Sequence, residues 1–420
     1  MSYIGTNKVG KLFFGEHKLG KAYFGEDLVY DSAGGSTVLP YDAKIEFLQS
    51  SGTQYINTGI KPTTNFKCEI KAQYVQNNNG FDTMVGCYDG TNYGVALGLQ
   101  STSGGNKLYI QFGGGSSYAA SSVTSTTALH TFVTQLSNNT LSISVDGTAN
   151  TATYSGSLPN INLSLFARNK ATVGNFTNAK IYYCKIWNGG NLVFDAIPVR
   201  VGQVGYMYDR ISGNLFGNDG TGSFTLGDDI IPIDFLQATG TQYIDTGINA
   251  QSVTRFVVKG YCYPDNGNNT QLLGGTAQGA GTFFGARTNG TTSNWYCMAS
   301  GSGIGNPTHT STIDATISST SSQTGTLTDL ANNTSYSFTS FSSGSWGFPN
   351  ENLLIFGGYS TRRSPNARCY SLQIYTSSGL VRDFIPVRVG QTGYMYDKVS
   401  GQLFDNNGTG SFILGNDKTT

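Results

Sequence analysis

The acidic and histidine side chains of this sequence offer little for catalysis. Hydrolysis of a glycosidic bond needs two carboxylates that flank the bond, and a nucleophilic triad needs a positioned histidine. The three histidines are His17, His130 and His309, and the last two lie in threonine-rich segments. The glutamates are Glu16, Glu26, Glu46, Glu69 and Glu351. This pattern predicts a protein that is not an enzyme, with a glycosidase as the least favoured alternative.

The cysteines show no spacing typical of a metal site. None forms a Cys-x-x-Cys pair, and none stands at equivalent positions in the two long repeats described below. A disulfide framework belonging to the repeated unit would have been duplicated with it, so the sequence predicts free buried thiols and no metal held by His and Cys. The cysteines are Cys68, Cys87, Cys184, Cys262, Cys297 and Cys369.

Aromatic residues between the predicted strands are better candidates for ligand contact. Aromatic rings can stack on the apolar face of a sugar, and adjacent arginines favour an anionic one. The predicted glycan-binding residues are Tyr88, Tyr118, Trp295, Tyr296, Trp346, Tyr359, Arg362 and Arg363. Trp295 and Trp346 occur only in the second repeat, which is therefore expected to be the main binder. Burial in the core is the alternative for each of these aromatic residues.

The composition favours strands over helices. Charged residues make up 12% of the chain, Gly reaches 56, and 25 Tyr and 24 Phe supply aromatic core material. A surface of Ser, Thr and Asn is typical of sheets and turns. The 25 basic and 25 acidic residues cancel, so we expect no nucleic-acid partner. No apolar run is long enough to insert into a membrane, and no signal peptide is evident.

Two long repeats define the domain organisation. The segment at 47–60, FLQSSGTQYINTGI, returns at 235–248 with 11 of 14 identical. The segment at 197–226 returns at 385–414 with 23 of 30 identical. The second copy follows the first at the same offset in both pairs, from 47 to 235 and from 197 to 385. The sequence therefore predicts two homologous domains, 42–229 (unit 1) and 230–417 (unit 2), with a tail at 418–420.

Alternating apolar and polar residues within each unit predict short strands. In TLSISVDG, Leu141, Ile143 and Val145 should face one way and the serines the other. Asp146-Gly147 then predicts a hairpin turn. Because many such strands recur and no helical period appears, the predicted fold is all-β, with two stacked antiparallel sheets in each unit. The strand segments predicted in unit 1 are FKCEIKAQY, GVALGLQ, KLYIQF, TLSISVDG, AKIYYCKIW and NLVFDAIPV.

The N-terminal segment at 1–31 forms a separate, shorter repeat. Residues 2–11, 12–21 and 22–31 superimpose with a period of ten, each reading as strand, glycine-containing turn and strand. A segment this small is stable only when it packs on a larger surface. We therefore interpret 1–31 as an anchoring arm, followed by a linker at 32–41. A small appendage folded on unit 1 is the alternative. The predicted anchoring side chains are Tyr3, Phe13, Phe14, Tyr23 and Phe24.

These motifs resemble a known family. FLQSSGTQYINTGI at the start of a unit and DAIPVRVGQVGYMYDRISGNLFGNDGTGSF at its end are similar to concanavalin-A-like, laminin-G-type jelly rolls of gut bacteria and their bacteriophages. The arm, ending in YFGEDLVYDS, is similar to N-terminal segments of phage virion proteins. The resemblance implies two tandem jelly rolls in a tailed-phage fibre or head-decoration protein.

The resemblance also implies two checks on the residues. Its hydrolase members carry Glu-x-Asp-x-x-Glu on one strand, and this sequence has no such motif. Laminin-G-type domains often hold Ca²⁺ at the rim of the sandwich, and the segments 218–221 and 405–409 offer oxygen ligands on a glycine turn. The carboxylate stands at Asp219 in one segment and at Asp405 in the other, so a hairpin turn is favoured over Ca²⁺. No other cofactor is expected.

The sequence thus predicts a virion-surface protein that is made in the host cytoplasm. The arm would bind other virion proteins of the capsid or tail, and the two units would bind host-surface or mucosal glycans weakly and multivalently. A homo-oligomer is expected, with a trimer as the candidate form. The alternatives are a virion spacer that binds nothing and a bacterial surface adhesin.

Overall fold

The chain is almost entirely β-structure in the part that can be described. The computed structural model describes residues 13–14, 17–18, 21–24, 27–31, 39–75, 82–102, 105–113, 118–124, 127–169, 173–262, 271–276, 283–289, 292–299, 302–304, 312–317, 324–339, 352–357 and 367–418, with only the backbone course for some strands. The chain divides between Asp229 and Ile230 into two compact units. The repeat offset places the domain boundary at the same point.

The described part of the arm forms two short hairpins. Strand β1 pairs with β2, and β3 pairs with β4, both antiparallel. In the sequence, Gly15 follows β1 and Gly25 follows β3. The second and third copies of the short repeat each contain an antiparallel pair of strands, as predicted. Tyr3 and the residues that join the paired strands lie outside the described residues. The arm strands are β1 Phe13–Phe14, β2 His17–Lys18, β3 Lys21–Phe24 and β4 Asp27–Asp31.

Unit 1 is a sandwich of two sheets. The small sheet has the order β12-β11-β10-β9-β16-β7 with β17 beside β9, and the large sheet has the order β15-β14-β13-β8-β18-β19-β20-β21 with β5, β6 and β22 attached. The strands are β5 Ala43–Lys44, β6 Leu48–Ser51, β7 Ile56–Asn57, β8 Phe66–Tyr74, β9 Thr83–Tyr88, β10 Tyr93–Thr102, β11 Gly105–Gly113, β12 Tyr118–Thr124, β13 Leu129–Ser137, β14 Thr140–Val145, β15 Thr148–Thr153, β16 Ser164–Leu165, β17 Arg168–Asn169, β18 Asn178–Asn188, β19 Asn191–Val201, β20 Val204–Asp209, β21 Asn214–Phe216 and β22 Thr225–Leu226.

Unit 2 repeats this arrangement. Its large sheet has the order β33-β32-β31-β26-β35-β36-β37-β38 with β23, β24 and β39 attached, and its small sheet has the order β25-β34-β27-β28-β29-β30. The only helix among the described residues is a 3-10 turn, Ala250–Ser252. The strands are β23 Ile230–Pro232, β24 Leu236–Ala238, β25 Ile244–Asn249, β26 Val253–Cys262, β27 Gln271–Thr276, β28 Phe283–Asn289, β29 Thr292–Ala299, β30 Ser302–Ile304, β31 Thr312–Ile317, β32 Thr324–Asp329, β33 Thr334–Thr339, β34 Asn352–Ile355, β35 Ala367–Thr376, β36 Gly379–Val389, β37 Thr392–Asp397, β38 Gln402–Phe404 and β39 Ile413–Leu414.

The alternating pattern of the sequence builds the core between the two sheets. In β14, Leu141, Ile143 and Val145 are buried while the residues between them are not. In β8 every second residue from Phe66 to Tyr74 is buried. These side chains join those of the small sheet in one cluster in unit 1, and unit 2 has a cluster of its own. Each unit is therefore a β-sandwich, as predicted, and its described strand pairs are antiparallel except for the short parallel pair of β17 with β9 in unit 1.

The first and last segments of each unit lie side by side. Strand β22 pairs with β6 in unit 1, and β39 pairs with β24 in unit 2. Further along, the bridges Ile45–Asp229 and Ile233–Asp417 extend the contact. The best-matched segments of the repeat are thus the two that hydrogen-bond to each other and close each sandwich.

Candidate ligand-binding site

Two tyrosines face each other at one end of the small sheet of unit 1. Tyr88 ends β9, Tyr93 begins β10, and the two residues are direct cross-strand partners. Their rings are stacked, with centroids 4.5 Å apart and an interplanar angle of 29°. Both side chains are half-buried. Tyr88 is one of the residues predicted to contact glycan, and Tyr93 is an aromatic residue of the same predicted loop region.

The turn between the two tyrosines is held by Asp89. Its carboxylate accepts hydrogen bonds from the backbone N–H groups of Thr91 (2.8 Å) and Asn92 (2.6 Å). These bonds favour the charged form and hold the pKa of Asp89 below its usual value. The Tyr88 hydroxyl donates to the Gly90 carbonyl at 2.5 Å. The turn therefore fixes the separation and tilt of the tyrosine pair.

Arg168 completes the cluster from a different part of the chain. It lies in β17, which pairs in parallel with β9. Its guanidinium carbon is 5.0 Å from the centroid of Tyr88 and 5.3 Å from that of Tyr93. Its Nη2 donates to the Asn175 side chain at 2.5 Å. Arg168 is 9% exposed, and its Nε is buried without a hydrogen-bond partner among the described residues.

The cluster combines flat aromatic surface with a fixed positive charge. A guanidinium near aromatic rings gains cation–π attraction and keeps its planar donors oriented. Of the other arginines between 42 and 229, Arg200 pairs with Asp229 and Arg210 with Asp195, whereas no carboxylate of the described residues pairs with Arg168. The arrangement can stack against the apolar face of a sugar and hydrogen-bond to its hydroxyl or carboxylate oxygens.

Several predicted site residues occupy strands, which corrects their assignment to loops. Trp295 and Tyr296 lie within β29, where Trp295 pairs with Thr288 and Tyr296 with Arg287. Their segment, TSNWYCMA, ends in a run of five apolar residues between two glycine-containing stretches, and a short apolar run of this kind is consistent with a strand. Tyr118 begins β12, opposite Gln111. Trp346, Tyr359, Arg362 and Arg363 lie outside the described residues.

Arg168 is a candidate functional residue that no sequence pattern reveals. It lies far along the chain from Tyr93, in a segment without a strand pattern, and only the parallel pairing of β17 with β9 brings it to the tyrosines. Unit 2 has Thr276 and Phe283 at the matching ends of β27 and β28. The cluster therefore belongs to unit 1, although unit 2 was expected to be the main binder.

The segments considered for Ca²⁺ use their oxygens within the protein. Asn218 Oδ1 accepts from the N–H groups of Gly220 (2.8 Å) and Tyr55 (3.2 Å), and Asp219 Oδ2 accepts from the Asn57 N–H (2.8 Å). In the described residues, no three His, Cys, Asp or Glu side chains lie together as a metal site would need. The geometry agrees with the turn interpretation.

The equivalent segment of unit 2 repeats these bonds. Asn406 Oδ1 accepts from Gly408 and Tyr243, and Asn407 Oδ1 accepts from the Asp245 N–H at 2.8 Å. The amide oxygen of Asn407 therefore accepts the same backbone hydrogen bond as the carboxylate oxygen of Asp219. Because the hydrogen bond is kept when Asn replaces Asp, it does not need a negative charge. A Ca²⁺ site would need that charge from its carboxylate ligands.

Among the described residues, the cysteine thiols and the His130–Asp146 pair lie in environments that point to structural roles. Cys68, Cys87, Cys184 and Cys369 are buried and free, as predicted, and burial raises the pKa of Cys87 and Cys369 to about 12. Thiols so protonated are poor nucleophiles. His130 Nδ1 lies 2.6 Å from Asp146 Oδ2, and Asp146 also accepts from a backbone N–H. This pair ties β13 to the turn after β14.

Comparison with known proteins yields distant structural neighbours only. No family model matches the chain, and no curated protein matches it. The mouse laminin alpha1 chain, domains LG4-5, is 12% identical with a TM-score of 0.29, covering 92% of this chain and 99% of that one. The LG1-3 region of the laminin alpha2 chain is 11% identical with a TM-score of 0.27, covering 88% and 68%. Scores this low carry no argument, so the fold of this all-β chain with two tandem sandwiches rests on its own sheets.

Proposed function

We propose that this chain is a non-enzymatic attachment protein of the bacteriophage surface. The arm at 1–31 binds other virion proteins, and the two sandwich units bind host-surface or mucosal glycans. The observation that carries the binding function is the cluster of Tyr88, Tyr93 and Arg168. It joins stacked rings to a guanidinium that is paired with no carboxylate of the described residues and whose Nε has no hydrogen-bond partner among them.

The arm supports the anchoring part of the proposal. Its described strands are short and pair only as hairpins. Isolated hairpins of this size are marginally stable in water, so a binding surface on another protein would add the missing stability. A virion carrying many copies would convert weak sugar sites into strong attachment through effective concentration.

Glycan binding by single-residue variants tests the binding function. We expect the full chain to bind a subset of glycans on an array, and Tyr88→Ala and Tyr93→Ala each to weaken that binding about tenfold, by analogy with the stacking of a base on an aromatic ring, which contributes about 1–3 kcal/mol. Tyr206→Ala is the matched control, because Tyr206 is equally half-buried but lies in β20 of the large sheet. A blank array, or equal loss in all three variants, would favour the spacer alternative.

Particle incorporation tests the anchoring function separately. When 1–31 is deleted, we expect the chain to be absent from purified virions while its glycan binding is unchanged. If the deleted chain still enters virions, the arm is an appendage of unit 1. If the intact chain is found in bacterial envelope fractions and never in particles, the adhesin alternative replaces the virion assignment.

A further inference from the structure

The outer face of the large sheet in unit 1 carries one lysine on every cross-strand pair of its central strands. Strands β8 and β18 are antiparallel neighbours, and side chains paired directly opposite each other share a face. Successive pairs on the outer face lie two positions apart on β8, or about 7 Å along the strand, while a bulge on β18 separates Lys180 from Tyr183 by three positions. The four pairs are Lys67 with Trp187, Glu69 with Lys185, Lys71 with Tyr183, and Gln73 with Lys180 by register. We call these four lysines the cationic ladder.

Aromatic rings hold the ladder in place. Lys67 Nζ is 4.2 Å from the Trp187 ring centroid, Lys180 Nζ is 4.1 Å from that of Phe47, and Lys185 Nζ is 5.9 Å from that of Tyr183. Cation–π attraction restrains long side chains that would otherwise be mobile. Lys67 also pairs with Glu69 at 3.7 Å, which leaves a net positive charge on the face. Three of the four lysines are thus restrained along about 20 Å of sheet.

Unit 2 has cations at three of the same four pairs. At the offset of the two long repeats, Arg255, Lys259 and Arg368 take the places of Lys67, Lys71 and Lys180. Arg255 lies 4.6 Å from the Tyr375 centroid and Arg368 lies 4.3 Å from that of Phe235. Arg255 also pairs with Asp314, and Arg368 bonds to Gln237. Ring and cation thus recur together at two of the pairs.

The inward-facing residues of β8 differ in β26, whereas the two lysines of β8 are replaced only by other cations, Arg255 and Lys259. Cys68, Ile70 and Ala72 of β8 correspond to Phe256, Val258 and Gly260 of β26. Both units form a packed core despite these three replacements. Only 12% of the chain is charged, yet positive charge is retained on the outer face. Core packing therefore does not explain why these cations are kept.

We infer that the outer face of the large sheet in each unit binds an acidic polysaccharide, which lies along the central strands with its carboxylate or sulfate groups on the ladder. This surface is distinct from the tyrosine–arginine cluster and goes beyond the proposed function. Two such faces in one chain give bivalent binding of a single long polymer.

The chemistry of the face favours a polysaccharide over other polyanions. Tyr183 is only 1% exposed, and Trp187 and Phe47 each have a lysine over the ring, so the face offers little aromatic surface for the base stacking that single-stranded nucleic acids use. Lysine is depleted in protein–protein interfaces, whose cores are apolar, and the ladder places a lysine on each pair. A regular, flexible polyanion without large apolar surface fits what remains.

Binding of the full chain to sodium polygalacturonate tests the inference, with neutral dextran as the ligand control. We expect polygalacturonate binding that weakens as salt increases, because ionic contacts are screened. Lys71→Gln with Lys180→Gln should weaken it about tenfold, and adding Lys259→Gln with Arg368→Gln should abolish it. Lys61→Gln with Lys418→Gln removes the same charge from two exposed positions off the face and should change nothing.

Two further measurements keep the result interpretable. Lys71→Arg with Lys180→Arg should restore binding, and thermal melts should show that all variants are folded. Array binding is measured for Tyr88→Ala and Tyr93→Ala, and polygalacturonate binding for the ladder variants, so that failure of the glycan cluster and failure of the ladder are distinguishable. Equal binding by the ladder and control variants, or stronger binding of oligo(dT) or polyglutamate than of polygalacturonate, overturns the inference.

Discussion

Asparagine and aspartate side chains fasten the last loop of each unit to its first strands. Asn218 and Asp219 accept backbone N–H groups of Tyr55 and Asn57, which lie near the start of the same unit. The Asn218 amide also donates to the Gly222 carbonyl at 2.9 Å. Since each buried or half-buried backbone donor needs a partner, the identity of these side chains is set by the acceptor they provide, which explains why the two terminal motifs are retained together.

Substitution of Asp219 separates an acceptor role from a charge role. We expect Asp219→Asn to leave the free energy of unfolding of unit 1 within about 0.5 kcal/mol of the parent, whereas Asp219→Ala should lower it by about 1 kcal/mol because the Asn57 N–H loses its partner. Urea denaturation measures both. Removal of divalent cations with EDTA should leave the melting temperature unchanged; a fall in that temperature would show that Ca²⁺ is bound after all.

The carboxyl group of Asp89 gives the tyrosine hairpin a pH dependence. Its pKa is lowered in the folded protein by the N–H groups of Asn92 and Thr91. A lowered pKa means that the stabilisation is fully present above the unfolded value of about 3.9 and is lost as pH falls through the folded value. We expect the ¹³C carboxyl resonance of Asp89 to titrate below that unfolded value, with the Tyr88 and Tyr93 ring resonances moving in the same range. A midpoint above the unfolded value, or ring shifts that persist in Asp89→Ala, would contradict this.

At the scale of the elements, turns and alternation were the parts that sequence could predict. Asp146-Gly147 was expected to make a hairpin, and both residues have positive φ, 49° and 87°, as a type I′ turn requires. Strand β8 spans FKCEIKAQY as predicted. These features depend on neighbouring residues alone. Arg168 could not be found in this way, because its contact with Tyr88 depends on pairing between β17 and β9.

Core packing is a second feature that local sequence patterns could not predict. Phe216 packs edge-on against Phe194 in unit 1, with centroids 5.3 Å apart. The equivalent Phe404 in unit 2 packs against Phe384, at 5.0 Å. The partner ring has moved two positions along its strand, since Phe194 corresponds to Arg382 and Ala196 to Phe384. Residues two apart share a face, so either position fills the same space, and no local rule selects between them.

Close approach between the last loop and the first strand segment requires glycine at two equivalent positions. A Cβ on Gly220 would overlap the Thr53 carbonyl oxygen, and one on Gly408 would overlap that of Thr241. We expect Gly220→Ala to destabilise unit 1 by about 1–3 kcal/mol, measured by urea denaturation. Ser223→Ala, at an exposed position of the same loop, is the control and should have little effect. Equal stability of the two variants would mean that the loop can move away from Thr53 at no cost.

At the scale of the whole molecule, each sandwich is closed by its own ends. Arg200 forms two hydrogen bonds with Asp229, both of 2.7 Å, and Arg388 forms the equivalent pair with Asp417 at 2.7 and 2.6 Å. The surface pairs contribute little energy individually. They do mark the place where each unit returns to its beginning, so the chain repeats a complete, self-closing sandwich rather than sharing strands between two halves.

Separate cores predict separate unfolding transitions. Phe66 belongs to the core cluster of unit 1 and Phe256 to that of unit 2, and both are fully buried. Truncation of a buried Phe to Ala costs about 3–5 kcal/mol, which lowers the melting temperature of a domain of this size by about 10 °C. In calorimetry of the full chain, we expect Phe66→Ala to shift one transition and Phe256→Ala to shift the other. Val204→Ala, at a position that is 54% exposed, should shift neither. If either core variant moves both transitions together, the two sandwiches unfold as one cooperative body, because the free energy lost in one core then also destabilises the other.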